Sequence, residues 1–310
     1  MDQFSSHPLY RRHTLDSAIN TLWEFYKKNF VALFGISFIM ALISQYISTN
    51  INIGELQQIT DPQELLIKMR DFIWPVIIIS VISLFFSTIL HYYVLFNPVD
   101  SENNILRSSI RSLRYFVPYL ITMILFTFFG SIALFLGFIA LVIGMFFAAL
   151  YIATIYFFIL PVMLAEGPSI ANTIGRTFLL VHRKFWHNIG WTAVFILLML
   201  VISIVLSGLI LLPFTGSFVK VFKSPDEAAS LVDLTRNPVY ILLNAVVSAL
   251  IYPAMPIFAF ILYFTGRARE DVQIFGDLSD DDKNNEQKLR IEDLYSKPLP
   301  ENEDERELKS

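Results

Sequence analysis

Hydrophobic and polar positions fall along this chain in long blocks. From Tyr115 to Ala165, 51 consecutive positions carry no Asp, Glu, Lys or Arg, with Arg114 before them and Glu166 after. A membrane-crossing helix needs about 20 apolar residues. The block therefore predicts two spans, near Pro118–Leu136 and Ala140–Met163, with Gly137 and Gly144 offering the turn between them. Similar blocks predict a first span at Phe30–Ile47, a second at Phe72–Phe96, a fifth at Ile189–Leu212 and a sixth at Val239–Phe264. Asp61 and Pro62, a capping residue followed by a proline suited to the first helical position, mark a helix start that leads into the second span.

Charge gives an orientation. The N-terminal segment, the second and fourth loops and the C-terminal segment together hold 18 Lys and Arg, against 5 in the other three loops. Basic residues concentrate on the cytoplasmic side, so the split predicts cytoplasmic termini and an even number of spans, in agreement with six. The apolar region begins only near Phe30, after a polar segment with no small-residue cleavage pattern, so no signal peptide is expected and the first span should persist in the mature protein.

Each odd-numbered span is preceded by a helical pattern with one apolar and one polar face. In the first, Leu15, Ala18, Ile19, Leu22, Trp23, Phe25 and Tyr26 share an arc, Lys27 and Lys28 lie on the other, and Thr14 is placed to cap the helix. In the second, Ile105 to Val117, the stripe Arg107, Arg111, Arg114 opposes Leu106, Ile110, Leu113 and Val117, and Pro118 should break its junction with the span. In the third, Ile170, Ile174, Phe178, Val181 and Phe185 oppose Asn172, Arg176 and Arg183, with Lys184 next to the junction. The first and third copies align, Lys27-Lys28-Asn29-Phe30 against His182-Arg183-Lys184-Phe185, as for a helix-plus-hairpin unit used three times. Such helices can lie in the interface with the basic side toward anionic headgroups. That makes Lys27, Lys28, Arg107, Arg111, Arg114, Arg176, Arg183 and Lys184 candidate headgroup contacts, and anionic membrane lipids the expected partners. The simpler reading is topogenic charge and helix packing.

Composition sharpens the class. The chain is 55% hydrophobic and 16% charged, with 29 Phe, 13 Tyr and no Cys, whereas ordinary globular domains carry roughly 25% charged residues. The expected fold is all-α: a polytopic integral membrane protein of six transmembrane helices with three cytoplasmic amphipathic interfacial helices. The membrane domain should cover residues 1–271. Residues 272–310 carry 12 acidic and 6 basic residues, including Asp280-Asp281-Asp282. They predict a solvated, disordered cytoplasmic tail, with Ile291 to Tyr295 as a short docking helix and the tail as a site for a cytoplasmic protein partner. No feature points to nucleic acid.

Candidate chemistry is sparse. No predicted span contains an Asp, Glu, Lys or Arg, so the usual charged relay for ion coupling is missing. No paired carboxylates, HExxH, Ser–His–Asp set or phosphate-cradling loop occurs, and a chain without Cys has no thiolate nucleophile. The expectation is no catalytic residue, no metal site and no cofactor. A polar stripe remains in the second span, Ser80, Ser83, Ser87 and His91, with Asn244 and Ser248 in the sixth. Helix packing is the simpler reading and a solute path the other. Glu166 closes the charge-free block before Gly167-Pro168-Ser169, where it should pair with Arg176 or Arg183 or meet the next helix N-terminus. Pro253 and Pro256 should bend or hinge the sixth span.

With these motifs in view, Thr14 to Asp271 resembles the membrane domain of bacterial glycerophosphoryl diester phosphodiesterases and of related stand-alone six-span proteins. The resemblance rests on Leu160-Pro161-Val162-Met163-Leu164-Ala165-Glu166-Gly167, on Arg176 with Phe185-Trp186, and on the exit cluster Tyr263, Arg267, Arg269, Glu270 and Asp271. An acidic residue that the family often places after the exit Tyr is replaced by Phe264-Thr265-Gly266. The resemblance implies a bacterial inner-membrane location and a membrane role. It does not carry over phosphodiesterase activity, because the 39 residues after Asp271 are too few for that domain. A non-enzymatic role in supporting the bilayer, contacting lipid or scaffolding a partner is expected, with a transporter or permease for a small or lipid-like solute as the alternative.

Overall fold

The computed structural model describes residues 4–49, 51, 61–139, 141–215 and 236–270. The acidic tail and the docking helix expected within it lie outside the described residues. The chain divides into two units, Met1–Thr265 and Gly266–Ser310; of the second only 266–270 are described, and these are helical. No strand occurs among the described residues. The helices of the first unit are α1 (Leu15–Lys28), α2 (Phe30–Ser48), α3 (Pro62–Phe96), α4 (Ile105–Ile139), α5 (Leu141–Glu166), α6 (Ile170–Arg183), α7 (Phe185–Leu211), a 3₁₀ turn (Leu212–Phe214), α8 (Pro238–Ile251) and α9 (254–265). Among the described residues six stretches are long and apolar enough to cross a membrane: Phe30–Ser48, Lys68–Phe96, Ile105–Ile139, Ile143–Glu166, Phe185–Phe214 and Pro238–Glu270. Each overlaps one of the six predicted spans, the third beginning 13 residues before the predicted Pro118.

Local chemistry sets the ends. Thr14 caps α1 in a reciprocal box: its Oγ1 accepts from the Ser17 amide at 3.3 Å, and Ser17 Oγ accepts from the Thr14 amide at 2.9 Å. Asp61 caps α3 by accepting from the Gln63 amide at 3.0 Å, ahead of Pro62. α5 ends at Gly167, whose φ of +112° is open to a residue without Cβ. The sixth span is interrupted at Tyr252–Pro253, and Pro256 falls in the first turn of α9, where a missing amide hydrogen leaves no bond unmade.

Two expectations about the long block change. Pro118 does not break α4, which runs through it. The Thr122 hydroxyl donates to the Pro118 carbonyl at 2.8 Å, and neighbouring helices support such prolines within spans. The second lead helix is therefore the continuous first turns of α4. Gly137 and Gly144 are also helical, the first in α4 and the second in α5. A Cβ on Gly137 would sit 2.9 Å from the Gly144 carbonyl oxygen and 3.0 Å from the Ala148 Cβ. These glycines let two backbones approach, as small residues do between membrane helices. Gly137→Val should wedge the hairpin apart and cost about 1–3 kcal/mol. Gly130→Ala, whose Cβ would meet Ile152 at an ordinary 3.7 Å, should be nearly neutral. Denaturant titration of both variants in micelles checks the difference.

The repeat is visible in the backbone. Ile170 follows Leu15 by 155 positions; α1 and α6 are each 14 residues long and are separated from the next span by one residue. Those residues, Asn29 (φ −110°, ψ 18°) and Lys184 (φ −135°, ψ 53°), leave helical geometry. At the same offset, buried Ala18, Phe25, Tyr26 and Leu33 match buried Thr173, Leu180, Val181 and Asn188. Ser37 and Thr192 also correspond; both hydroxyls are buried and have no hydrogen-bond partner among the described residues. Their small size, rather than a bond, suits close packing there.

The core lies at one end of the bundle. The returning helices supply it through Ile89–Leu95 of α3, Ile155–Leu164 of α5 and Ile257–Phe264 of α9. The N-terminal segment docks on the same end. The Leu9 amide donates to His7 Nδ1 at 3.1 Å, and His7 Nε2 lies 3.1 Å from the Val94 carbonyl. At the opposite ends large apolar side chains such as Ile77, Phe128, Phe146 and Ile204 are exposed. In water they would cost dearly; in lipid they face a matched solvent.

Candidate functional site

Most groups with chemistry gather at the packed end, where chain reversals expose helix termini and polar side chains. Glu166, at the end of α5, receives Arg176 of α6, with Nε 3.2 Å from both carboxylate oxygens. The Tyr263 hydroxyl of α9 donates to the same carboxylate at 3.0 Å. Three elements thus converge on one acid whose side chain is only 25% exposed. Such a charge-assisted cluster fixes the α5–α6 corner. Trp186 is exposed and packs on Phe185, with ring centroids 5.1 Å apart.

The basic candidates divide by surroundings. Arg107 pairs with Glu102 at 2.7 Å and Arg111 with Asp100 at 3.0 Å, so loop acids offset two members of the stripe. Exposed pairs of this kind contribute only about 0–1 kcal/mol, which leaves the arginines able to exchange partners. Arg114, Arg183 and Lys184 are exposed. Lys27 holds its ammonium 5.6 Å from the Trp23 ring centroid. Lys28 lines a cavity of about 550 Å³ and mixed polar and apolar character between the N-terminal segment, α1 and the 97–101 turn, with Arg11, Asn29, Asn97 and Ser101. Arg11 donates to the Thr21 hydroxyl in its wall.

On α4 the arginine stripe adjoins the apolar face, about 100° round the helix, and does not oppose it as the sequence pattern predicts. On the first turns of α4 the buried residues are Ser108 and Ser112, while Leu106, Ile110, Leu113 and Val117 are each more than half exposed, from 52% to 69%. On α6 the buried positions are Thr173, Thr177, Leu180 and Val181, whereas Phe178 and Leu179 are outside. On α4 small hydroxyl side chains face protein and apolar ones face outward, whereas the buried face of α6 mixes Thr173 and Thr177 with Leu180 and Val181.

The polar stripe is only partly assembled. Ser87 Oγ lies 3.4 Å from His91 Nδ1, and the same ring nitrogen lies 2.8 Å from the Ser87 carbonyl. His91 is buried, with its ring 5.9 Å from that of Phe260. Ser80 is exposed and turns back to the Val76 carbonyl at 2.8 Å, and Ser83 is half-buried. Asn244 and Ser248 sit half-buried on α8, which packs on α2 and α7. No hydrogen bond joins them to α3 among the described residues.

A second cavity, about 710 Å³ and almost wholly apolar, lies between α1, α7 and the end of α8, with Lys27 as its one charged lining residue among the described residues. Neither cavity reaches Ser87, His91 or Ser248. Sequence reasoning missed the His7 contacts, the Arg11 cavity and the bond from Tyr263 to Glu166. The aromatic-rich segment Phe4 to Tyr10 was the one available signal. Among the described residues no three His, Asp or Glu cluster as metal ligands would. The chain matches no protein-family model, no curated protein and no solved structure.

Proposed function

We propose that this six-span chain is a non-enzymatic lipid-contacting protein of a bacterial inner membrane, with its packed, basic end and both termini on the cytoplasmic side. In this role it resembles the membrane domain of glycerophosphoryl diester phosphodiesterases. The observation that carries the reading is the start of α4. There Leu106, Ile110, Leu113 and Val117 lie outside the protein core while Arg107, Arg111 and Arg114 follow the same helix. An uncovered apolar side beside a basic one suits the headgroup boundary. The corner cluster of Glu166, Arg176 and Tyr263 acts as a brace that keeps α6 against the bundle. The acidic tail is available to hold a cytoplasmic partner.

The test is native mass spectrometry of protein released from bilayers containing phosphatidylglycerol. Replacing Arg107, Arg111 and Arg114 together with alanine should reduce retained phosphatidylglycerol by at least about fivefold, the effect of one surface cation worth about 1 kcal/mol. Equal retention by variant and parent contradicts the reading.

A further inference from the structure

We propose that the apolar cavity between α1, α7 and α8 is a lateral slot for one acyl chain of an anionic phospholipid, whose headgroup is held by Lys27. This deepens the lipid-contacting reading and rests on it. Most of the slot is built by three separate elements, with Phe30 of α2 and Ala254 of α9 adding to it. Ile202 and Leu206, one turn apart on α7, form one wall, and Leu250 and Ile251 at the end of α8 form a second. Trp23 and Tyr26 of α1 complete it. The Tyr26 hydroxyl donates to the Leu250 carbonyl at 3.2 Å, which pins α1 across the cavity. Burial pushes that hydroxyl up to about 12, so it remains a donor at any physiological pH.

Three observations select the occupant. The volume, about 710 Å³, falls within the roughly 300–1,000 Å³ of small-molecule sites. Two of its walls belong to spans, so the cavity lies among surfaces that face hydrocarbon, where acyl chains are the abundant apolar species. Its charge is one-sided: among the described residues Lys27 lines it without an acid, while Glu24 of the same helix lines the cavity of mixed character. Lys27 and Trp23 thus place a cation and an amphipathic ring together, as at a headgroup boundary. An extended chain fits the slot while its phosphate reaches the ammonium. A zwitterionic headgroup gains less from that single cation.

Full-length protein in mild detergent, equilibrated with a phosphatidylglycerol and phosphatidylcholine mixture, provides the test by native mass spectrometry. The parent should keep one phosphatidylglycerol after other lipids are stripped. Ile202→Trp should fill the slot and lower that occupancy at least tenfold, as should Leu206→Trp. Ile204→Trp, on an outward position 63% exposed, should leave it unchanged. Lys27→Gln should keep a bound lipid but cut the preference for phosphatidylglycerol about fivefold. Undiminished occupancy in both slot-filling variants, unchanged preference in Lys27→Gln, or a lipid-free dimer of the parent would overturn the slot. The Arg107/Arg111/Arg114 alanine variant separates the two ideas. If it loses lipid while the slot-filling variants do not, the slot fails and the general reading stands. If it keeps all lipid while the slot-filling variants lose one, the basic stripe fails instead.

Discussion

Phe258→Ala is expected to destabilise the fold by about 3–5 kcal/mol, the usual cost of removing a buried aromatic ring. Phe258 is 4% exposed at the point where three helices meet. Its ring lies parallel to that of Phe195 at 3.9 Å and edge-on to that of Phe157 at 5.4 Å, while Phe157 and Phe195 pack edge-to-face at 5.6 Å. α9, α7 and α5 each contribute one ring, so truncation opens a cavity that no single helix can close. Phe128→Ala is the matched comparison. That ring is 63% exposed on the lipid-facing part of α4, and its loss should change stability by no more than about 0.5 kcal/mol. Detergent-denaturant titration of both variants measures the gap. Equal losses would mean that the packed end is not the stabilising core.

Acidification is expected to release the N-terminal segment. Burial lowers the His7 pKa from 6.5 to about 4. Its Nδ1 accepts the Leu9 amide, so the neutral ring must donate from Nε2 to the Val94 carbonyl. A second proton on Nδ1 would set two donors against each other. The sign follows from linkage. The unfolded or undocked segment binds the proton first, near pH 6.5, so docking is fully supported above that value and weakens as pH falls toward 4. At about 1.4 kcal/mol per pH unit, the loss approaches roughly 3 kcal/mol. His13, also lowered chiefly by burial, acts in the same direction. Hydrogen exchange of residues 4–13, corrected for intrinsic rate, should show protection falling about a hundredfold across this window. His7→Gln should remove most of that dependence; an identical pH profile in the variant would assign it elsewhere.

These two cases also show what a sequence of this kind reveals. The spans were legible because charge is excluded over lengths that only hydrocarbon requires. The unit shared by α1–α2 and α6–α7 was legible because Lys27-Lys28-Asn29-Phe30 and His182-Arg183-Lys184-Phe185 repeat the same junction. Hydropathy could not separate Phe158, fully buried, from Phe128, mostly exposed, because lipid and protein interior are equally apolar. It mistook Gly137 and Gly144 for turn residues because a close helix crossing and a tight turn both use glycine. The basic stripe was legible, but its counter-charges were not. Asp100 and Glu102 sit in a loop whose path depends on tertiary packing. The docking of His7 was invisible for the same reason.

The claim on which the rest depends is that six helices cross the bilayer with the packed, basic end on the cytoplasmic side. A chain without cysteine allows a direct measurement. Single cysteines at Ser101, Ser169, Thr49 and Thr215 are treated in intact cells, before and after permeabilisation, with a membrane-impermeant thiol reagent. Labelling of Thr49→Cys and Thr215→Cys in intact cells, and of Ser101→Cys and Ser169→Cys only after permeabilisation, is the predicted result. Labelling of Ser101→Cys or Ser169→Cys in intact cells alongside Thr49→Cys would contradict it.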